Sequence, residues 1–186
     1  RRPEDVEEEV KILAEEGYKE IVLTGIHLTS YGIDFKDEGI DFLTLIKRLH
    51  AIDGIERIRF GSLEPRVITE TFAEELSKLP KICPHFHLSL QSGCDDTLKR
   101  MNRHYTAAEY SRGCEILRKA FEQPAITTDV IVGFPGETEE EFQEATFSFV
   151  KYYVQSRHYD ELVAENEKLK KDLNAEIAWR TRVSDI

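Results

Sequence analysis

Methionine and tryptophan occur once each, cysteine three times and proline six times in 186 residues. Three cysteines, an odd number without regular spacing, exclude a secreted disulfide scaffold and make the cytoplasm the expected compartment. Cys83, Cys94 and Cys114 form no Cys-x-x-Cys pair, so their spacing offers no zinc or iron–sulfur site. Cys83 and Cys114 read as packing residues. Cys94 falls in a strand-end turn, a position open to solvent, but no neighbouring group argues that it is a nucleophile. Long apolar runs are also missing. None approaches the roughly 20 residues that span a bilayer, which excludes a membrane helix, and no secretory signal precedes the first helix-like stretch. Basic charge is scarce: 25 Lys and Arg stand against 36 Asp and Glu, a net charge of −11. A protein that grips nucleic acid with its whole surface carries the opposite sign. Either this chain does not bind nucleic acid, or the basic surface lies in another part. The chain opens Arg1-Arg2-Pro3 without an initiator methionine, so it is expected to be a piece of something larger.

What is present is an ordered alternation. Apolar residues make up 40% of the chain, enough for one compact domain, alone or with an appendage. Pro3 to Glu16 reads as a helix with Val6, Val10 and Leu13 on one face, stopped by Gly17. Glu20 to Gly25 reads as a buried strand, and Phe42, Leu45, Ile46 and Leu49 mark a second helix. The pattern repeats three times. Arg57–Gly61 is a strand with a helix from Thr69 to Leu79; His85–Leu90 is a strand with helices over Asp95–Met101 and Thr106–Phe121, the latter opened by a Thr106/Glu109 capping box. Ile126–Val132 is a strand followed by Gly133-Phe134-Pro135-Gly136 and a helix from Glu137. About four β/α units predict an α/β fold with a parallel sheet. A closed eight-stranded barrel takes about 250 residues, so a partial (β/α) barrel over residues 1–152, with a long C-terminal helix, is the expected architecture. A partial barrel leaves sheet edges uncovered, which predicts marginal solubility.

Residues 153–186 read as a helical tail. Tyr159, Leu162, Asn166, Leu169 and Leu173 alternate spacings of three and four, as in a short coiled coil. Two readings stay open: a solvated helix packed on a neighbour, and a zipper that makes a homodimer.

In parallel α/β folds ligands bind beyond the carboxyl ends of the strands. Those turns are Thr24-Gly25-Ile26-His27, Gly61-Ser62-Leu63-Glu64-Pro65, Gln91-Ser92-Gly93-Cys94 and Gly133-Phe134-Pro135-Gly136-Glu137, all small or polar, which suggests one shared rim. Each turn also has a plain structural reading; Glu137, for example, serves the helix dipole. His85 and His87, two apart on a strand, point to one face, a spacing a metal site could use, yet no acidic or cysteine partner stands at a confirming distance. Lys99-Arg100 and Arg103-His104 are the best local candidates for an anion contact, with a solvated helix end as the alternative. An aldolase-type barrel enzyme would need a strand-end lysine, and Lys19, Lys81 and Lys151 sit elsewhere.

The blocks Arg59-Phe-Gly-Ser-Leu-Glu-Pro65, Pro84-His-Phe-His-Leu-Ser-Leu-Gln-Ser-Gly-Cys94, Leu98-Lys-Arg-Met-Asn-Arg103 and Thr128-Asp-Val-Ile-Val-Gly-Phe-Pro-Gly-Glu-Thr138 resemble the radical S-adenosylmethionine methylthiotransferases, over roughly residues 1 to 149. Within that family the Ser-Leu-Glu-Pro and Cys-Pro-His-Phe-His forms most resemble members acting on N6-threonylcarbamoyladenosine of transfer RNA. The resemblance implies a partial barrel of the radical SAM type, holding S-adenosylmethionine above a 4Fe-4S cluster that cleaves it to a 5′-deoxyadenosyl radical, and installation of a methylthio group at carbon 2 of an adenosine 37 derivative in tRNA. It implies cofactor contacts at Thr24, Gly25, Glu64, Ser89, Gln91 and Arg103, and at Val132, Gly133, Phe134, Pro135 and Gly136 beside adenine. It implies tRNA as partner, and neither DNA nor a membrane. The family's Cys-x-x-x-Cys-x-x-Cys does not occur in this sequence, so no catalytic or metal-ligating residue is assigned and the chain as given is expected to be inactive. The family's RNA-binding domain has no counterpart here either, which accounts for the missing basic surface. Non-catalytic self-association through the tail is the alternative.

Overall fold

The structure is a computed structural model that describes residues 1–25 and 27–153. The Leu162–Leu173 seam and the tail lie outside the described residues.

Helix α1 (Pro3–Glu15) starts at Pro3 with Glu4 and Asp5 in its first turn, and Gly17 beyond its end takes φ +93°. Proline suits the first turn, acidic side chains suit the positive end of the helix dipole, and only glycine adopts that left-handed angle without strain. Strand β1 (Glu20–Leu23) leads through short 3-10 turns to α2 (Phe42–His50). Asp41 caps α2, its Oδ1 accepting from Thr44 N at 2.7 Å, and Phe42, Leu45, Ile46 and Leu49 are all buried. Strand β2 (Arg57–Phe60) is followed at once by β3 (Ser62–Leu63), then α3 (Glu70–Ser77), β4 (His85–Leu88), α4 (Asp95–Arg100), α5 (Ala107–Ala120), β5 (Ala125–Thr127) and α6 (Glu139–Tyr153). The expected Thr106/Glu109 capping box opens α5.

All strand pairs are parallel. β1 pairs with β2, and β4 lies between β3 and β5. The strand expected at Arg57–Gly61 ends at Phe60 and a second short strand follows it at Ser62, because the chain steps between ladders at Gly61. Its N–H still donates to Leu23 O at 2.8 Å, while Ser62 and Leu63 move on to pair with His87 and Leu88. Below the step, Ile58 N donates to Lys81 O at 2.7 Å and Cys83 N to Ile58 O at 3.0 Å, which ties the two ladders side by side.

The strands expected at His85–Leu90 and Ile126–Val132 are shorter than the apolar pattern suggests. Thr128 is the reason. Its hydroxyl donates to Leu88 O at 2.5 Å and accepts from Leu90 N at 2.9 Å, so a side chain fills a rung of the ladder. Parallel pairing resumes as a single bridge between Gln91 and Val130.

Burial alternates along the strands. Ile21, Ile58, Phe60, Leu63, Phe86 and Leu88 are buried with the apolar faces of the helices in one core. Aromatic rings run through it from helix to sheet: Phe72 lies on Phe42 with centroids 6.2 Å apart, Phe42 meets Phe60 at 5.8 Å, Phe60 meets Phe86 at 6.4 Å and Phe86 meets Phe121 at 5.0 Å. The intervening residues, Glu20, Val22, Arg57, Arg59, His85, His87 and Thr127, are exposed or half-buried. Helices therefore cover one face of the sheet and leave a polar face open, unusual for parallel strands, which are ordinarily covered on both sides. Among the described residues no helix is long and apolar enough to cross a membrane.

Candidate functional site

Parallel pairing brings the carboxyl ends of all strands to one side. Gly61 N donates to Leu23 O, Ser89 N to Leu63 O at 3.0 Å and Gln91 N to Asp129 O at 2.9 Å, so the successive turns stand in register along one rim. Thr24 and Gly25 are exposed beyond β1, and a Cβ at Gly61 would lie in ordinary contact with Leu23 O and Thr24 Cα at 3.4 and 3.6 Å. Glu64, beyond β3, is half-buried with Oε1 3.7 Å from His27 Nδ1. Ser89 and Gln91 are half-buried beyond β4. Gln91 takes φ +65°, left-handed for a residue with a side chain, and its carbonyl accepts from Ile131 N at 2.8 Å. A strained angle held by hydrogen bonds on both sides marks a position that its surroundings enforce.

Tyr105 supports this corner from below. It is buried, its hydroxyl donates to Leu90 O at 3.2 Å, and burial pushes its phenol up to about 12, with Arg103 pulling it down and Glu64 pushing it further up. Arg103 and Glu64 therefore lie within electrostatic reach of one phenol. Arg103 Nε is buried and makes no hydrogen bond. A buried guanidinium N–H without an acceptor costs free energy, and a ligand carboxylate would supply the missing partner. The neighbouring Arg100 is already engaged, both its terminal nitrogens reaching Glu141 at 2.8 and 2.6 Å. Of the basic cluster named from sequence, Arg103 carries a buried guanidinium nitrogen without a partner.

The last turn forms a ledge. Ile131 and Val132 are 43% and 64% exposed, large apolar side chains left in solvent at the strand ends. Gly133 and Gly136 both take positive φ, and Gly133 N donates to Glu137 Oε2 at 2.6 Å. Glu137 thus braces the turn through a backbone N–H. Its Oε1 is buried without a partner. Phe134 is half-buried and Pro135 exposed.

Gly93 sits under α6: a Cβ there would come 2.7 Å from Ala145 O and 2.7 Å from Ser148 Cβ. Only glycine lets the helix approach so closely. The adjacent Cys94 is buried rather than exposed as its turn position allowed, because α4 starts there; Cys83 and Cys114 are buried as expected. His85 and His87 do share the open face, and His87 has an acidic neighbour that strand spacing did not show, Asp129, at 3.5 Å. Among the described residues no group of three or more His, Cys, Asp or Glu could hold a metal ion.

The residues present therefore fit S-adenosylmethionine and not a cluster. An unpaired arginine N–H suits its carboxylate, and an exposed apolar ledge beside open backbone suits its adenine. Three separately buried cysteines cannot ligate four irons. Thr128, Tyr105 and Asp129 are site-forming residues that sequence reasoning missed. The polar run Thr127-Thr128-Asp129 within an apolar strand was the available signal for Thr128 and Asp129, and Tyr105 had none.

The sequence pattern of the radical SAM superfamily matches residues 1–148. Curated relatives include the tRNA-2-methylthio-N(6)-dimethylallyladenosine synthase of Clostridium botulinum (strain Okra / Type B1), 44% identical over 151 residues, 81% of this chain and 33% of the relative. Those of Caldicellulosiruptor saccharolyticus and Thermoanaerobacter sp. (strain X514) are 46% and 49% identical over 144 residues, 77% of this chain and 30% of each relative. The chain spans about a third of the length of these relatives. Their names carry the dimethylallyl adenosine, not the threonylcarbamoyl one expected from the Ser-Leu-Glu-Pro and Cys-Pro-His-Phe-His blocks. Among solved structures, the radical S-adenosylmethionine methyltransferase TsrM from Kitasatospora setae, with cobalamin and a [4Fe-4S] cluster bound, superposes with TM-score 0.61 at 18% identity, over 82% of this chain and 29% of that one. The same enzyme with tryptophan and a SAM analogue bound gives 0.60 at 20% identity, over the same shares of the two chains. At these identities the likeness is one of fold.

Proposed function

Because this chain belongs to the radical SAM superfamily, we propose that it is the central, cofactor-holding part of a tRNA methylthiotransferase, acting on an N6-modified adenosine. The observation that carries this reading is the buried, unpaired Arg103 Nε at a rim of strand-end turns. Identity of 44–49% to methylthio-adenosine synthases supports the reaction class.

In this reading the open polar face is the inner wall of a partial barrel. When bound at this rim, S-adenosylmethionine would supply the radical chemistry of the reaction, with the reducing electron coming from a cluster outside the described residues. The residues of this chain bind and orient. Arg103 pairs with the cofactor's carboxylate, Thr24 and Gly25 offer open backbone near its amino-acid end, and Glu64, Ser89 and Gln91 face its ribose and methionine parts. Val132 to Gly136 flank the adenine, with Glu137 keeping the turn rigid. The rigid rim excludes water from one side of the ligand. The chain's three cysteines are buried separately, so in this reading the cluster is ligated by other parts of the whole protein. Its net charge of −11 leaves tRNA contact to other parts of the whole protein, which works in the cytoplasm where tRNA is modified.

Calorimetric titration with S-adenosylmethionine tests this. Binding in the millimolar range or tighter is expected, lost at least tenfold in Arg103→Ala. Absence of heat at millimolar ligand overturns the reading.

A further inference from the structure

The end of α4 carries two arginines with opposite circumstances. The helix closes with two nested backbone bonds, Asn102 N to Lys99 O at 3.0 Å and Arg103 N to Leu98 O at 2.9 Å, around Asn102 at φ +55°. This motif fixes the path of a chain as it leaves a helix. Arg100 in the last turn and Arg103 just beyond it therefore belong to one rigid piece. Arg103 Nε lacks a partner, whereas Arg100 is committed to α6.

Arg100 Nη1 donates to Glu141 Oε1 at 2.8 Å, and Nη2 donates to Glu141 Oε2 at 2.6 Å and to the hydroxyl of buried Thr97 at 3.1 Å. The same carboxylate caps α6. Its Oε2 accepts from Thr138 N at 2.9 Å, and Glu141 N donates to the Thr138 hydroxyl at 3.3 Å. The Glu141 side chain is only 16% exposed, so this forked, charge-assisted pair is stronger than a solvated surface contact. The guanidinium also lies against the turn before α6: a Cβ on Gly136 would stand 3.8 Å from Arg100 Nε. The ion triplet on the open sheet face is a different arrangement, in which Glu20 accepts from Arg57 Nε at 2.5 Å and from Arg59 Nε at 2.9 Å, strand to neighbouring strand. The Arg100 fork spans 41 residues and ties a helix end to a turn.

The turn is shaped by its own bonds. Glu137 N donates to Phe134 O at 2.8 Å, with Pro135 and then Gly136, at φ +82°, in the two central positions, as a type II turn requires. Glu137 closes it further through Gly133 N. Those local contacts fix the shape of the turn and leave its distance from Arg103 open. The Arg100 fork sets that distance. The middle of α6 is held separately, by its close approach to Gly93, so the fork governs the first turn of the helix and the residues just before it.

We infer that Arg100 is a positioning residue of the rim: through Glu141 it holds the turn over 132–136 at a set distance from Arg103, so that the end of α4 gauges a ligand with a carboxylate at one end and an adenine at the other. The inference rests on the cofactor reading above and adds to it a residue that touches no ligand. Without the fork the turn shifts, and fewer molecules present both ends of the site at the right spacing. Arg103 keeps its place on α4.

NMR of the 15N-labelled full chain tests this, first without ligand. In Arg100→Gln and in Glu141→Gln, backbone order is expected to fall at Gly133, Gly136 and Thr138 and to hold at Gly93 and Ala145. Titrations follow with S-adenosylmethionine, which needs both ends of the site, and with methionine, which needs the Arg103 end alone. Each variant is expected to weaken S-adenosylmethionine about fivefold, as when the competent arrangement falls to about a fifth of the population, and to leave methionine unchanged. Arg103→Ala weakens both. The double variant Arg100→Gln, Glu141→Gln loses no more than either single one, because both changes break one pair. Unchanged order over the turn, equal losses for the two ligands, no loss for either, or additive losses in the double variant overturn the inference. A wild type that binds no S-adenosylmethionine overturns the cofactor reading instead, and the ligand-free order measurement then still decides whether Arg100 sets the turn.

Discussion

The Tyr105 hydroxyl donates to the Leu90 carbonyl at 3.2 Å, wholly inside the protein, and so pins the chain one residue before the left-handed Gln91. A phenol placed between helices α4 and α5 thereby sets the backbone of a strand-end turn.

The first prediction concerns that phenol. Burial raises it from 10.0 to about 12. A group whose pKa is raised on folding contributes stability that is whole below its unfolded value and fades as pH climbs through the folded one. Between pH 10 and 12 the wild type should therefore lose stability more steeply than Tyr105→Phe. At neutral pH the Phe variant should be weaker by about 1 kcal/mol, one buried hydrogen bond. Urea melts across the alkaline range check both statements.

Thr128 carries a ladder rung on its side chain. Thr128→Val keeps the shape and strands Leu90 N and Leu88 O. A loss of about 2 kcal/mol is expected, as for unsatisfied buried backbone groups. Amide exchange should quicken at Leu90 before it quickens in β4. An unchanged Leu90 amide would contradict the bonding described here.

Gly93→Ala tests the approach of α6. The new methyl meets Ala145 O at 2.7 Å, backbone that cannot turn aside. Overpacking of this kind costs about 1 to 3 kcal/mol. Loss of protection confined to α6, with β4 intact, is the expected exchange pattern.

Acid should weaken a surface cluster. Lys47 and Lys78 bind the Glu75 carboxylate and hold it at about 2, down from 4.5. A lowered carboxylate contributes stability that is whole above the unfolded value and lost as pH falls toward the folded one, so the loss spans pH 4.5 to 2. Lys47→Met should flatten the acid limb of a stability profile in that window, lowering stability at pH 7 and leaving it little changed near pH 2.

The helices were legible because their buried residues recur at helical spacing, as Phe42, Leu45, Ile46 and Leu49 do in α2, and because caps such as Thr106 are local. The strands were legible in place but not in length. Periodicity cannot tell that Thr128 replaces a ladder rung with its own hydroxyl, or that Gly61 passes the chain from one partner strand to another. The rim was legible because parallel topology puts every strand end on one side whatever the side chains. Cys94 was not: its burial depends on α4 starting at that residue. Nor were Tyr105 and Asp129, whose partners Leu90 and His87 lie on β4 or in the turn that follows it.

The ion triplet on the open face has a consequence for assembly. Among the described residues β1 pairs with β2 alone, which leaves its other side a row of unsatisfied backbone groups on which a foreign strand could add. Glu20 begins that strand, anchored by Arg57 and Arg59. A newcomer would have to lay its side chains beside a fixed charge cluster that has no spare carboxylate oxygen to offer. The same contacts that order the open sheet face thus make the sheet's border a poor seed for amyloid-like growth.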